Sequence, residues 1–190
     1  MIFHLKGLRS SHGHPLAEKV IVLDDIYKIR AVVSRWIADE SVQPIITTGG
    51  TGVTGRDGTP EAIQPVLDKE IQGFGELFRM ISYEDIKTST IQSRALSGVA
   101  NGTYLFCLLG SSGACRTGWD DLIQDQLDVR HSPCNLAELM PRLREYAVGS
   151  FYINLTGSLG TLGFCSSTEL TSIRTLVLND CQRFADSDFH

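Results

Sequence analysis

The sequence predicts a three-layer α/β domain, with helices on both faces of a mostly parallel sheet. Two observations carry this. Short β-branched or strongly apolar runs alternate with segments of helical periodicity along the first two thirds of the chain. Glycine-rich turns directly follow two of the apolar runs, as expected where strands deliver loops to one edge of a sheet.

Lys19-Val-Ile-Val-Leu23 reads as the first strand, and either Asp24 or Asp25 can cap the helix behind it. In that helix Ile26, Ile29, Val32, Val33, Trp36 and Ile37 recur at helical spacing, with Lys28, Arg30, Ser34 and Arg35 on the other face. Val42 to Thr48 reads as a second strand whose pairing starts only after Pro44. Thr59-Pro60-Glu61 opens a helix, with threonine as N-cap and proline in the first turn. A further helix covers Gly75 to Tyr83, and another is expected after Arg94. Thr103-Tyr-Leu-Phe-Cys-Leu-Leu109 reads as a buried strand, Gly110-Ser-Ser-Gly113 as a turn, and Cys115 to Leu127 as an amphipathic helix. Asn135 to Tyr146 can form a helix, whereas 149–190, rich in Gly, Ser and Thr without a settled period, reads as an irregular tail. These features divide the chain into a domain over 1–134 and a tail over 135–190.

The bulk properties suit a soluble globular protein: 190 residues, 42% hydrophobic and 21% charged. A net charge of −5 without clustered Lys and Arg argues against a nucleic-acid partner. A phosphorylated metabolite remains compatible, because backbone N–H groups and metal ions can neutralise phosphate. No signal peptide or membrane-length apolar run is visible, which predicts a cytoplasmic protein with no membrane partner. The five cysteines lack metal-ligand spacing and read as reduced thiols. The five histidines assemble into nothing; His12 and His14 read as surface residues.

The segment Thr48-Gly-Gly-Thr-Gly-Val-Thr-Gly-Arg-Asp-Gly-Thr-Pro-Glu61 is the most informative. Glycines directly after a buried strand let the backbone approach a ligand and point N–H groups at an anion. Gly50, Gly52 and Gly55 satisfy GxGxxG, but a dinucleotide fold would start its helix inside the motif, and here Arg56 to Pro60 intervenes. A Walker loop is excluded, because no Lys-Ser or Lys-Thr follows. Asp57, between the loop and a helix N-terminus, is the candidate magnesium ligand among phosphates; the alternative is that it only caps the turn. Asp24 ends a strand at the same sheet edge, and helix capping explains it equally well. Thr88-Ser-Thr-Ile-Gln-Ser-Arg94, which includes Ser89, offers hydroxyls to a pterin edge and an arginine to a phosphate. Gly110 and Ser111 could complete a pocket wall. Nothing indicates nucleophilic catalysis.

Taken in order, Thr47-Thr-Gly-Gly-Thr-Gly52, Arg56-Asp57 with Thr59-Pro-Glu-Ala62, Gly73-Phe-Gly-Glu76, Thr88-Ser-Thr90 with Ser93-Arg94, and Gly110-Ser111 before Ala114 resemble the MoaB/MogA family of molybdopterin-binding proteins. Phe78-Arg-Met80, Ala114-Cys-Arg-Thr117, Trp119 and Asp125-Gln-Leu-Asp128 are closer to its MoaB branch, and the likeness spans about residues 4–134. The resemblance implies a fold that binds molybdopterin and, in active members, transfers AMP from ATP to its terminal phosphate with magnesium. It places Asp57 on the family's essential aspartate and metal ligand, and Asp24 on its second functional acid. Thr48, Gly49, Gly50, Thr51, Gly52, Thr59, Glu61, Ser89, Gly110 and Ser111 fall on ligand-binding segments. It also implies a homo-oligomer, trimer or hexamer, for which Phe74, Leu77 and Phe78 offer an apolar contact patch.

The chain departs from this pattern in three ways. It starts too late to hold the family's first strand and Ser-Asp loop, Phe3 to Ser11 resembling only the end of the following helix; a gap or exposed edge in the sheet is expected. Leu23 and Leu109 stand where the family usually has proline. Nothing after about Cys134 has a recognised counterpart. The resulting expectation is a molybdopterin adenylyltransferase-like enzyme. The alternative is a non-catalytic molybdopterin-binding or assembly protein, or a truncated inactive relative; a nicotinamide-dependent oxidoreductase rests on GxGxxG alone.

Overall fold

The structure is a computed structural model and describes residues 16–144 together with the backbone of 173–178. The helix remnant at Phe3 to Ser11, His12, His14, Cys165 and Cys181 lie outside the described residues.

Strand β1 (Leu16–Val22) leads through Asp24 and Asp25 into helix α1 (Ile26–Ile37). Asp25 takes the N-cap, its extended backbone bringing Oδ1 within 2.9 Å of the Tyr27 amide and 3.0 Å of the Lys28 amide. Ile29, Val33 and Trp36 form the buried stripe. Trp36 Nε1 donates to Glu18 at 2.9 Å and ties α1 to β1. Strand β2 (Pro44–Thr48) starts at the proline, whose missing N–H a strand's first position tolerates. After the glycine loop come α2 (Thr59–Ile63), a short β3 (Lys69–Glu70) and α3 (Gln72–Ile86). A 3₁₀ turn over Lys87–Gln92 leads to β4 (Leu96–Ala100) and β5 (Thr103–Leu108). Helix α4 (Ser112–Gly118) continues through a π turn at Trp119–Ile123 into α5 (Gln124–Gln126), and α6 (Leu136–Leu139) follows. The last strand is β6 (Ile173–Leu178).

Sheet order is β1-β6-β2-β5-β4-β3. The first four strands run parallel, while β4 and β3 pair antiparallel. The helix expected after Arg94 is therefore corrected to a strand. β4 and β5 form a hairpin across Asn101 and Gly102, both at positive φ (47° and 77°), a pair of conformations suited to Asn-Gly. Alternation along β5 separates two cores. Leu105 and Cys107 join Ile29, Val33 and Trp36 of α1 and Ile63 of α2, whereas Tyr104, Phe106 and Leu108 join Phe78 of α3, Trp119 and Ile123. Helices thus cover both sheet faces. Among the described residues no helix is long and apolar enough to cross a membrane.

Two described parts of the tail, 135–144 and 173–178, carry regular structure. Asn135 caps α6 through the Glu138 amide at 2.8 Å; Leu136, Met140 and Leu143 pack on the second core. β6 pairs with β1 on one side, from Leu16↔Ile173 to Val22↔Leu178, and with β2 on the other, from Ile45↔Arg174 to Thr48↔Val177. The irregular reading of 149–190 is corrected there, and the sheet has no gap between β1 and β2.

The expected apolar contact patch also needs correction. Phe78 is buried and Phe74 stacks between it and Phe106, so both point inward. The exposed apolar groups on this side are Leu77, Met80, Tyr83 and Ile86 of α3, and Ile91 of the turn behind it.

Because β6 bridges β1 and β2 by backbone pairing, ending the chain after Arg144 should lower unfolding free energy by a few kcal/mol, about 1 kcal/mol per lost hydrogen bond. It should also free the β1 amides to exchange. Denaturant unfolding of the shortened chain checks this; an unchanged midpoint with β1 still protected would contradict the pairing.

Candidate functional site

The parallel register of β2 and β5 ends with Thr48 beside Leu108, so the loops that follow begin side by side. The Gly49 amide donates to Leu108 O at 2.9 Å, and a Cβ on Gly110 would lie 3.2 Å from Gly49 Cα. The two glycine turns singled out in the sequence are therefore in contact at the carboxyl edge of the sheet. Gly49 (φ 95°) and Gly50 (φ 64°) turn the chain through a conformation that side chains resist, and both are buried.

The loop is closed by its own helix. The Thr59 amide donates to Gly50 O at 2.9 Å and its hydroxyl to Gly49 O at 2.8 Å. Thr59 is thus the first residue of α2 and not its cap, a position taken by Gly58 without a side-chain bond. The hydroxyl serves the turn instead.

Asp57 sits where this loop meets α2. Its Oδ2 accepts from the Thr54 amide at 2.7 Å and from the Thr54 hydroxyl at 2.6 Å. Burial works to raise its pKa, but the Thr54 hydroxyl and amide, the Gly52 amide and the Arg94 charge outweigh it and hold the carboxyl below its usual 3.8. Asp57 is therefore a carboxylate at neutral pH. A Cβ on Gly52 would come within 2.8 Å of Oδ2, so the close approach of loop to carboxylate needs glycine there. Thr54, not singled out from the sequence, orients this acid; its place three residues before Asp57 is the available signal.

Arg94, at the end of the 3₁₀ turn, reaches the same loop. Its amide donates to Thr51 O at 3.1 Å, Nε to Gly52 O at 2.6 Å and Nη2 to Asp57 O at 2.6 Å, while Nη1 pairs with Glu61. That pairing is the main cause holding the Glu61 pKa below 4.5. Ser89 lies exposed on the 3₁₀ turn. Ser111 caps α4, accepting from the Ala114 amide at 3.3 Å. Thr48 hydrogen-bonds Cys115, whose thiol donates to Leu109 O at 3.3 Å; burial pushes that thiol to about 12, and Cys107 likewise. Neither is a nucleophile at neutral pH.

Asp24 ends up on the same sheet edge. Ile26, just beyond it, fills the space against Gly58, where a Cβ would meet Ile26 Cγ1 at 2.9 Å. An open cleft of about 380 Å³ flanks α2, lined in part by Glu61, Gln72, Glu76, Arg79 and Arg94. The Arg94–Glu61 pair lies between it and the glycine loop.

Among the described residues no three His, Cys, Asp or Glu side chains cluster as a metal cage. An ionised Asp57 beside the glycine loop fits magnesium, which commonly takes one or two carboxylates and fills its remaining positions with phosphate oxygens and water.

A glycine turn at the carboxyl edge of parallel strands, with a carboxylate kept ionised beside it, stands where open α/β sheets take their ligands. The model of a family described as "Probable molybdopterin binding domain" matches residues 4–129, and the chain belongs to that family. Molybdenum cofactor biosynthesis protein B of Escherichia coli (strain K12) is 52% identical over 132 residues, 70% of this chain and 78% of the relative. A crystal structure of molybdenum cofactor biosynthesis protein B superposes with a TM-score of 0.64 at 41% identity, covering 73% of this chain and 81% of the other. A MogA structure does so with a TM-score of 0.56 at 28% identity, over 74% and 82%.

One loop atom lacks a partner. Thr51 is 1% exposed and its Oγ1 makes no hydrogen bond among the described residues. Thr51→Val, which keeps the shape and removes the hydroxyl, should raise unfolding free energy by about 1 kcal/mol. Thermal melting checks this, and a lower melting point would show that the hydroxyl is paired.

Proposed function

We propose that this chain acts in molybdenum-cofactor biosynthesis, binding molybdopterin at the glycine loop and transferring AMP from ATP to the terminal phosphate of molybdopterin. The observation that carries the reading is Asp57, held ionised at the junction of the glycine loop and α2. The names of the relatives and the family description support the same pathway.

In this reaction a terminal phosphate oxygen of molybdopterin attacks the α-phosphorus of ATP. A new P–O bond forms, the bond to the bridging oxygen breaks, and pyrophosphate leaves with the electron pair. The protein needs no nucleophile of its own, so its contribution is positioning and charge neutralisation. The Gly50 and Thr51 amides and those of the Gly110 turn take the anionic groups, the Gly49 and Gly52 amides being engaged by Leu108 O and Asp57, and Thr59 keeps the turn closed by holding Gly49 O. Asp57 would hold magnesium, with Asp24 as the second acid at the edge. The ion supplies neutralisation of phosphate charge, and Thr54 keeps the carboxylate aimed and deprotonated.

Asp57→Asn keeps an oxygen for Thr54 to donate to and removes the charge. With molybdopterin, magnesium and ATP it should adenylylate about two to three orders of magnitude more slowly. Molybdopterin affinity should change far less, because the backbone donors stay in place. A product assay run beside a binding titration checks this. An unchanged rate with a lowered melting point would make Asp57 a cap only, and wild-type binding without turnover would leave a molybdopterin-binding protein.

A further inference from the structure

We infer that Arg94, held in place by Glu61, is a positioning residue that sets the shape of the glycine loop, and is not itself a phosphate ligand. Arginine beside a phosphate-type loop invites the opposite assignment, since guanidinium is the usual side chain for bidentate phosphate recognition. The structure directs Arg94 elsewhere. Its Nε, Nη1 and Nη2 bond to Gly52 O, Glu61 and Asp57 O respectively, and its own amide holds Thr51 O. These contacts reach both ends of the loop and the first turn of α2. The guanidinium side chain is only 32% exposed, and Glu61 neutralises it.

The consequence falls on Asp57. Its side chain is oriented by Thr54 and its carbonyl by Arg94, so both ends of the residue are fixed. Without the fork, the Gly52 and Asp57 carbonyls lose their common donor, only the Arg94 amide still holds Thr51 O, and the loop can flatten. Lysine is no substitute, because a single ammonium at the end of a flexible stem cannot meet separate acceptors in a fixed plane. Glu61 then acts by holding the guanidinium, not by touching ligand.

Arg94→Ala, Arg94→Lys and Glu61→Ala in the full chain test this. The readouts are amide hydrogen exchange over Gly49–Asp57 in the ligand-free protein, molybdopterin affinity and melting temperature. Both Arg94 variants should speed exchange of the loop amides about ten-fold while β2 and β5 stay protected. Affinity should fall in parallel, and Glu61→Ala should change both in the same direction by less. The affinity readout rests on the proposed function; the exchange readout does not, so a wild-type chain that fails to bind molybdopterin removes that function and leaves this test intact. Arg94 as a phosphate ligand would give the reverse pattern: unchanged loop exchange, affinity largely restored by Arg94→Lys, and tighter binding in Glu61→Ala, which removes a negative charge. Acceleration spread evenly over the core with a lower melting point would make the role one of general stability, and would also overturn the inference. If Arg94→Ala does not fold, the other two variants decide.

Discussion

The parallel pairing of β2 with β5 is the constraint on which the site depends. Both strands are buried along their whole length, and their register from Pro44↔Tyr104 to Thr48↔Leu108 makes them end together. A one-residue slip would exchange the two cores, putting Leu105 and Cys107 where Tyr104, Phe106 and Leu108 now pack. The cores on the two faces therefore fix the register, and the register brings Gly49 and Gly110 together. Packing chemistry deep in the sheet thus determines the geometry of a loop at its edge.

Most side chains near that loop face inward. Thr59 serves Gly49, Thr54 serves Asp57, Ser111 caps α4, and Glu61 holds Arg94. What remains for the proposed ligand is chiefly the loop backbone, the Asp57 carboxylate and Asp24 at the same edge. The balance at Asp57 shows the logic: burial alone would favour the neutral acid, and the loop's own donors reverse that. The site keeps its charge chiefly through local hydrogen bonds, with the nearby Arg94 guanidinium acting in the same direction.

Much of this was legible in the sequence, for identifiable reasons. Regular apolar spacing located α1 correctly, because Ile29, Val33 and Trp36 fall on one face. Pro44 marked the start of β2, and the glycine turns marked the sheet edge. β4 was missed although Asn101-Gly102 is a hairpin signal: Leu96-Ser-Gly-Val-Ala100 is short and carries small residues that look neither strand-like nor helical. β6 was missed because its neighbours in sequence are Gly-, Ser- and Thr-rich, and only the long-range pairing with β1 and β2 reveals it. The chemistry of Thr54 and Arg94 depends on where carbonyls and amides point, which residue spacing only hints at. Asp24 against Asp25 is the same case: the cap is decided by backbone direction, not by residue type.

The proposed ligand site is the backbone of the loops that follow β2 and β5. The most direct measurement is an amide chemical-shift map of the ¹⁵N-labelled chain titrated with molybdopterin. The largest shifts should fall on Gly49 to Asp57 and on Gly110 and Ser111, with little change at the Gln72, Glu76 and Arg79 wall of the neighbouring cleft. Shifts concentrated along that cleft, with the glycine loop unmoved, would contradict it.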